Sequence, residues 1–139
     1  MHLILKDIHS EFDKQIMDIY CQDQYSIRDY GTRYLSHPQS VFWGIECEQR
    51  VGFIVFDVFN HTKSVVIFCM VVSPKFRGMG LGSKMMRQFI RFVKRTQPNI
   101  LFIRLSCIPR AKSFYLRLGF QEQPMPYDML FSLASLKRK

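Results

Sequence analysis

Acidic residues are scarce in this chain: 11 Asp and Glu stand against 20 Lys and Arg, for a formal net charge of +9. Such a surplus favours an anionic partner, whether a phosphorylated ligand, nucleic acid or an acidic membrane surface, although a basic soluble surface gives the same sum. No two cysteines fall at C-x-x-C spacing. Cys21, Cys47, Cys69 and Cys107 lie 26, 22 and 38 residues apart in apolar surroundings. That pattern argues against a metal site and for small buried hydrophobes in a reducing compartment. No apolar run approaches bilayer length, so no membrane span is expected. The opening "MHLILKDIHSEFDK" lacks a basic stretch followed by a long apolar one; no leader peptide is expected, and the expected location is the cytoplasm. Internal repeats, low-complexity tracts and Gly/Ser/Pro linkers are missing as well. With 139 residues, the expectation is one domain over 1–139.

What is present is a globular composition, 47% hydrophobic and 14% aromatic, which excludes a disordered chain. "HLILKDI" (2–8) predicts a short strand. Residues 11–22 place Phe12, Ile16, Ile19 and Tyr20 on one helical face, with Ser10 as N-cap, and 26–36 predict a second helix stopped by His37-Pro38. The period then changes. "VFWGIEC" (41–47), "RVGFIVFDVF" (50–59) and "SVVIFCMVV" (64–72) read as three strands joined by hairpin-length connectors. The third is apolar throughout, as a central strand buried on both faces should be. From Gly80 to about Gln97 the spacing is helical, with Leu81, Met85, Met86, Phe89, Ile90 and Val93 inside and Lys84, Arg87, Arg91, Lys94 and Arg95 outside. A strand over 99–107, a helix over 110–120 stopped by Gly119, and a strand over 127–136 complete the order β-α-α-β-β-β-α-β-α-β. The fold class is α/β in the α+β sense: a mixed, mostly antiparallel sheet with one parallel crossover.

The stretch "VVSPKFRGMGLGSKMM" (71–86) carries the chemistry. A helix N-terminus leaves its first N–H groups without intrahelical partners and carries partial positive charge, so anions settle there. Gly78, Gly80 and Gly82 remove the Cβ atoms that would keep an anion away, and Lys75, Arg77 and Lys84 add charge. This reads as a pyrophosphate cradle. It is not a Walker loop, which needs G-x-x-x-x-G-K-[ST]. Nor is it a dinucleotide fingerprint, because the glycines run G-x-G-x-G with no acidic residue about 20 positions on. A plain turn is the alternative reading, but three glycines among basic residues exceed what a turn requires.

These residues resemble motif A of the GNAT acetyltransferase superfamily, Q/R-x-x-G-x-G/A, here met by Arg77, Gly80 and Gly82. "AKSFYLRLGF" (111–120) is similar to that family's motif B. The resemblance implies a GNAT fold of six to seven strands and about four helices, with strands four and five splayed. It implies acetyl-CoA as cosubstrate. The N–H groups of Arg77, Gly78, Met79, Gly80, Leu81, Gly82 and Ser83 would hold the pyrophosphate. The backbone of Val71 and Val72 would align the pantetheine arm, and an N–H near Val72 would serve the oxyanion. Tyr115 matches the motif B tyrosine that lies beside the arm and protonates the departing thiolate.

Direct attack of an amine on the thioester also needs a base. Here the sequence departs from the family, with Phe68, Cys69 and Met70 where relatives often carry a glutamate on strand four. Ser106 stands where strand five can supply one, and the usual asparagine near the motif B helix is replaced by Ile108 or Pro109. Asp57, Asp23 and Asp29 are the candidate carboxylates, with a water chain as the alternative; Cys107 has no evident His partner to make it a nucleophile. Tyr20, Tyr25, Tyr30, Trp43 and Tyr127 could line the acceptor pocket, although each also reads as an ordinary core aromatic. The leading expectation is N-acetylation of a small-molecule, peptide or protein primary amine, by a monomer or homodimer. Two other readings stand beside it. The basic helix face and terminal "KRK" could hold nucleic acid, as in a protein that acetylates aminoacyl-tRNA, although a solvated face is the plainer reading. The chain could also be a degenerate acyl-CoA-binding domain.

Overall fold

The structure, a computed structural model, describes residues 2–7, 40–46, 49–76, 78–107, 109–124 and 129–135. The helices expected over 11–22 and 26–36 lie outside the described residues. Seven strands form one sheet: β1 (His2–Asp7), β2 (Ser40–Glu46), β3 (Gln49–Phe59), β4 (Ser64–Val72), β5 (Phe102–Leu105), β6 (Gln121–Glu122) and β7 (Met129–Ser132). Their order is β1-β2-β3-β4-β5-β7-β6. The pairs are antiparallel except β4 with β5, which run parallel and are joined through helix α1 (Leu81–Thr96). The mixed sheet, the antiparallel hairpins and the single crossover agree with the sequence reading.

Helix α1 owes its place to its apolar stripe. Met85, Met86, Phe89, Ile90 and Val93 are buried against Phe42, Ile54, Phe56, Val65 and Ile67 of the sheet, each contributing about 1.5–3 kcal/mol of burial. Phe89 meets Phe42 and Phe56 edge-on, with ring centroids 5.2 and 5.0 Å apart. Lys84, Arg87, Arg91 and Arg95 are exposed, as the periodicity predicts. Lys94 departs from that stripe: half-buried, it donates through Nζ to the Leu133 carbonyl at 2.8 Å.

Helix α2 (Lys112–Arg117) is shorter than the expected 110–120, because residues 109–111 form a separate 3-10 turn. Beyond it Gly119 adopts φ +103°. There Phe120 N–H reaches the Tyr115 carbonyl and Gly119 N–H reaches that of Leu116, so the glycine stop expected at this position is a Schellman cap. The expected strand 99–107 shrinks to 102–105. The Leu101 and Phe102 amides both turn to the Lys63 carbonyl, and the Leu101 carbonyl accepts from Leu133. The last strand likewise ends at Ser132, where a 3-10 turn begins.

The two faces of the sheet differ. The face under α1 and α2 is core. On the other, Val41, Trp43, Val51, Phe53, Val55 and Val71 are buried, yet Asp57, Phe59, Phe68, Phe102, Arg104 and Leu130 are only half-buried.

Candidate active site

Strand β4 positions the site. Its ladder with β3 runs in register from Ser64 to Ile67, then jumps: Phe56 faces Ile67 while Val55 faces Cys69. Phe68 is therefore an additional residue, a β-bulge, and bulges bend a strand and end its pairing. The parallel ladder to β5 stops at the same level, with Ile67 opposite Leu105, while β4 runs on to Val72. The splay expected between strands four and five is this divergence. The bulge also resets which side chains face α1. Val65 and Ile67 do so before it, Met70 and Val72 after it.

Three elements meet at the far end of β4. Gly82, in the first turn of α1, sits so close that a Cβ there would lie 3.3 Å from Val72 Cγ2, 3.6 Å from Met70 Cε and 3.7 Å from Phe114 of α2. Tyr115 of α2 is buried, with its ring against Phe114 and Phe120, and its hydroxyl donates to Met70 Sδ at 3.9 Å. The phenol thus stands beside the divergent part of β4, where the resemblance places a leaving thiolate. The end of β4 is tied by Ser73 N–H to the Val51 carbonyl at 2.8 Å.

The glycine turn opens beside this junction. Gly80 is the N-cap of α1 at φ +74°, and Gly78 lies at φ +79°, values that L side chains rarely adopt. A Cβ built on either meets no atom within 4 Å. Among the described residues no side chain caps the helix, and its first turn holds no acid, so its leading N–H groups have no capping side chain there and the dipole meets no acidic residue in the first turn. Met79 is 64% exposed. Lys84 is exposed one turn into α1, whereas Lys75 is drawn aside to Gln49 Oε1 at 3.3 Å. Arg77 lies outside the described residues. The open turn, with its positive-φ glycines and uncapped amides, fits a pyrophosphate.

Other candidates are placed less centrally. Ser106 is exposed, one residue past the end of β5. Asp57 lies opposite Val66, before the bulge and on the face away from α1, accepting from the Val58 N–H at 2.8 Å; it is not brought against Tyr115. Trp43 is a core residue, 1% exposed, tilted against Phe53 with the Arg50 guanidinium 4.4 Å from its ring centroid. Cys107 is half-buried and packs on the core. Asp23, Asp29, Ile108, Tyr20, Tyr25, Tyr30 and Tyr127 lie outside the described residues. The reading of the residues missed the Phe68 bulge and the Met70 contact, since an all-apolar strand shows no change of face. Among the described residues no cluster of His, Cys, Asp or Glu could hold a metal, and no helix is long and apolar enough to cross a membrane.

Comparison with known proteins agrees with this geometry. Residues 38–122 match the model of the acetyltransferase (GNAT) domain. A stretch of 66 residues is 39% identical to an uncharacterised N-acetyltransferase of Porphyra purpurea, covering 48% of this chain and 34% of that protein, so the match spans about a third of that relative. Gcn5 of Tetrahymena superposes with a TM-score of 0.75 over 96% of both chains at 12% identity. The PaiA N-acetyltransferase of Thermoplasma acidophilum, solved in complex with coenzyme A, superposes with a TM-score of 0.65 over 95% of this chain and 99% of its own at 14% identity. At such identities the structural likeness is one of fold alone. The matched domain covers most of the chain, including the glycine turn, the divergent strands and the Tyr115 helix, and the chain belongs to the GNAT acetyltransferase family.

Proposed function

We propose that the 139 residues act as one domain that transfers the acetyl group of acetyl-CoA to a primary amine by direct attack. The observation that carries this reading is the meeting of an open, uncapped glycine turn, a β4 that leaves β5 at a bulge, and the Tyr115 hydroxyl in the same corner. The N–H groups of residues 77–83 hold the pyrophosphate, where helix dipole and missing Cβ atoms favour it. The β4 backbone at Val71 and Val72 aligns the arm, with the thioester in the divergence. The amine attacks the thioester carbon, a backbone N–H near Val72 receives the oxyanion, and the C–S bond breaks as Tyr115 gives its proton to the sulfur. A water chain, or a carboxylate such as Asp57, takes the proton from the amine. The structurally similar PaiA N-acetyltransferase, solved in complex with coenzyme A, supports the cosubstrate. A cytoplasmic setting suits Cys107, which forms no disulfide.

Calorimetric titration of acetyl-CoA tests the cradle. The wild type is expected to bind and Gly80→Glu to lose binding, because its carboxylate stands in the anion's place. Gly80→Ala, equally strained at φ +74°, is the control for backbone cost and should retain most of the affinity. A wild type that binds no acetyl-CoA sinks the reading. A thioester-release assay against polyamines, aminoglycosides, peptides and aminoacyl-tRNA then names the acceptor.

A further inference from the structure

Helix α1 carries no acidic residue along its 16 residues. The gap is wider than the helix: twelve of the chain's 20 Lys and Arg, and none of its 11 Asp and Glu, fall between residues 58 and 121. Four of those cations form a ridge. At about 100° per residue, Lys84, Arg87, Arg91 and Arg95 lie within an arc of about 80°, spread along about 16 Å of helix. That arc is opposite the buried stripe of Met86, Phe89 and Val93, and all four side chains are exposed. Arg95 also lies 5.8 Å from the Phe92 ring. Among the described residues no carboxylate pairs with any of the four.

A helix face selected for stability alone mixes its charges. Like charges three or four residues apart weaken a helix, and here Lys84, Arg87, Arg91 and Arg95 follow one another at those spacings with no acid between them. A local rule broken without internal compensation marks a surface with a partner. What the ridge lacks narrows that partner. A membrane surface needs an apolar helix face to insert, and that of α1 is buried in the core. A protein interface centres on apolar and aromatic anchors, and a single-stranded nucleic acid needs rings on which its bases stack. The ridge offers neither. A small anion engages one or two cations, not a line of four. A duplex presents phosphates all along such a length, and guanidinium forks match phosphate oxygens.

Groove shape decides between duplexes. With one face packed on the sheet, α1 does not enter the major groove of B-DNA as a whole helix does, and the B-DNA minor groove, about 6 Å wide, is too narrow for it. The minor groove of A-form RNA is wide, shallow and bordered by phosphates and 2′-hydroxyls, the shape that a low ridge meets. We propose that the ridge of Lys84, Arg87, Arg91 and Arg95 docks double-stranded RNA through its phosphates. Backbone contacts of this kind hold a duplex without reading its sequence. Docking is independent of acetyl transfer, because it needs neither Tyr115 nor the divergence of β4 from β5.

Fluorescence anisotropy with the full chain and a labelled RNA duplex of about 20 base pairs, long enough for a minor-groove footprint, tests this. The salt is varied between about 50 and 200 mM. For the wild type, log K should fall by about 3 to 4 for each tenfold rise in salt, the slope for four neutralised phosphates. Arg91→Gln and Arg95→Gln should each weaken binding severalfold, reduce that slope by about 1 and leave acetyl-CoA affinity unchanged by calorimetry. Replacing Arg87, Arg91 and Arg95 together by Gln should cost about tenfold or more at equal salt. Gln is a good helix former at exposed sites, and circular dichroism confirms that each variant folds. A DNA duplex and an RNA single strand of the same sequence, polyglutamate and vesicles of anionic lipid are the rival probes. Any of them bound as tightly as duplex RNA overturns the proposal. So does a wild type that shows no salt-dependent RNA binding, or a slope unchanged in both single variants.

Discussion

Tyr115 has attachments of two kinds. Its ring is wedged between Phe114 and Phe120, with centroids 5.0 and 5.4 Å away, and its hydroxyl reaches a sulfur at 3.9 Å. Phenylalanine keeps the first and loses only the second. Tyr115→Phe should therefore melt within about 1 kcal/mol of the wild type and bind acetyl-CoA as before. Its turnover should fall by about 10²- to 10⁴-fold, the ordinary worth of a positioned acid; unchanged single-turnover rates would remove Tyr115 from the chemistry. Gly119 shows the opposite case, a residue that matters for stability. With φ +103° and a would-be Cβ 3.2 Å from Phe131 Cε2, Gly119→Ala should cost about 1–2 kcal/mol in urea unfolding and leave kcat alone. The glycine was readable as a helix stop because it follows the α2 pattern directly. The partner of Tyr115, 45 residues away, was not, because it depends on which way β4 turns its side chains.

At the scale of the element, that direction is set by one residue. Phe68 is the additional residue of β4, and both the register jump and the end of the β5 ladder fall beside it. Deleting Phe68 leaves Val65, Ile67, Met70 and Val72 on the α1 face, since the alternation then runs unbroken. The shortened protein should keep its far-UV circular dichroism. It should lose acetyl-CoA affinity by about tenfold or more, because a bulge-free β4 follows β5 instead of leaving it; full affinity in the deletion variant would show that the divergence has another cause. Alternation can reveal a bulge only where polar and apolar residues alternate. "SVVIFCMVV" is apolar on both faces, so its strand character was plain and its irregularity hidden. The hairpins, the crossover and the α1 stripe were legible because each has a period of its own. Strand β6, two residues long, has no period to read.

For the whole molecule, the sheet consists of two unequal parts. β1 to β4 are joined by long antiparallel ladders, and β5, β7 and β6 form a smaller group. Between them run the four parallel rungs from Ser64 to Ile67, the Lys63 carbonyl that holds two amides, and the shared cover of α1. Such a narrow join is where a structure opens first, at a free energy below that of global unfolding. Amide hydrogens of β5 and β7 should exchange sooner than those of β3. Acetyl-CoA bound in the divergence, as proposed, would touch both parts and act as a splint as well as a reactant. Acetyl-CoA should slow exchange across β5 and β7 more than in the β2–β3 hairpin, by the linkage of ligand binding to opening. The enzyme would then be stiffest while loaded, and would loosen each time its coenzyme leaves.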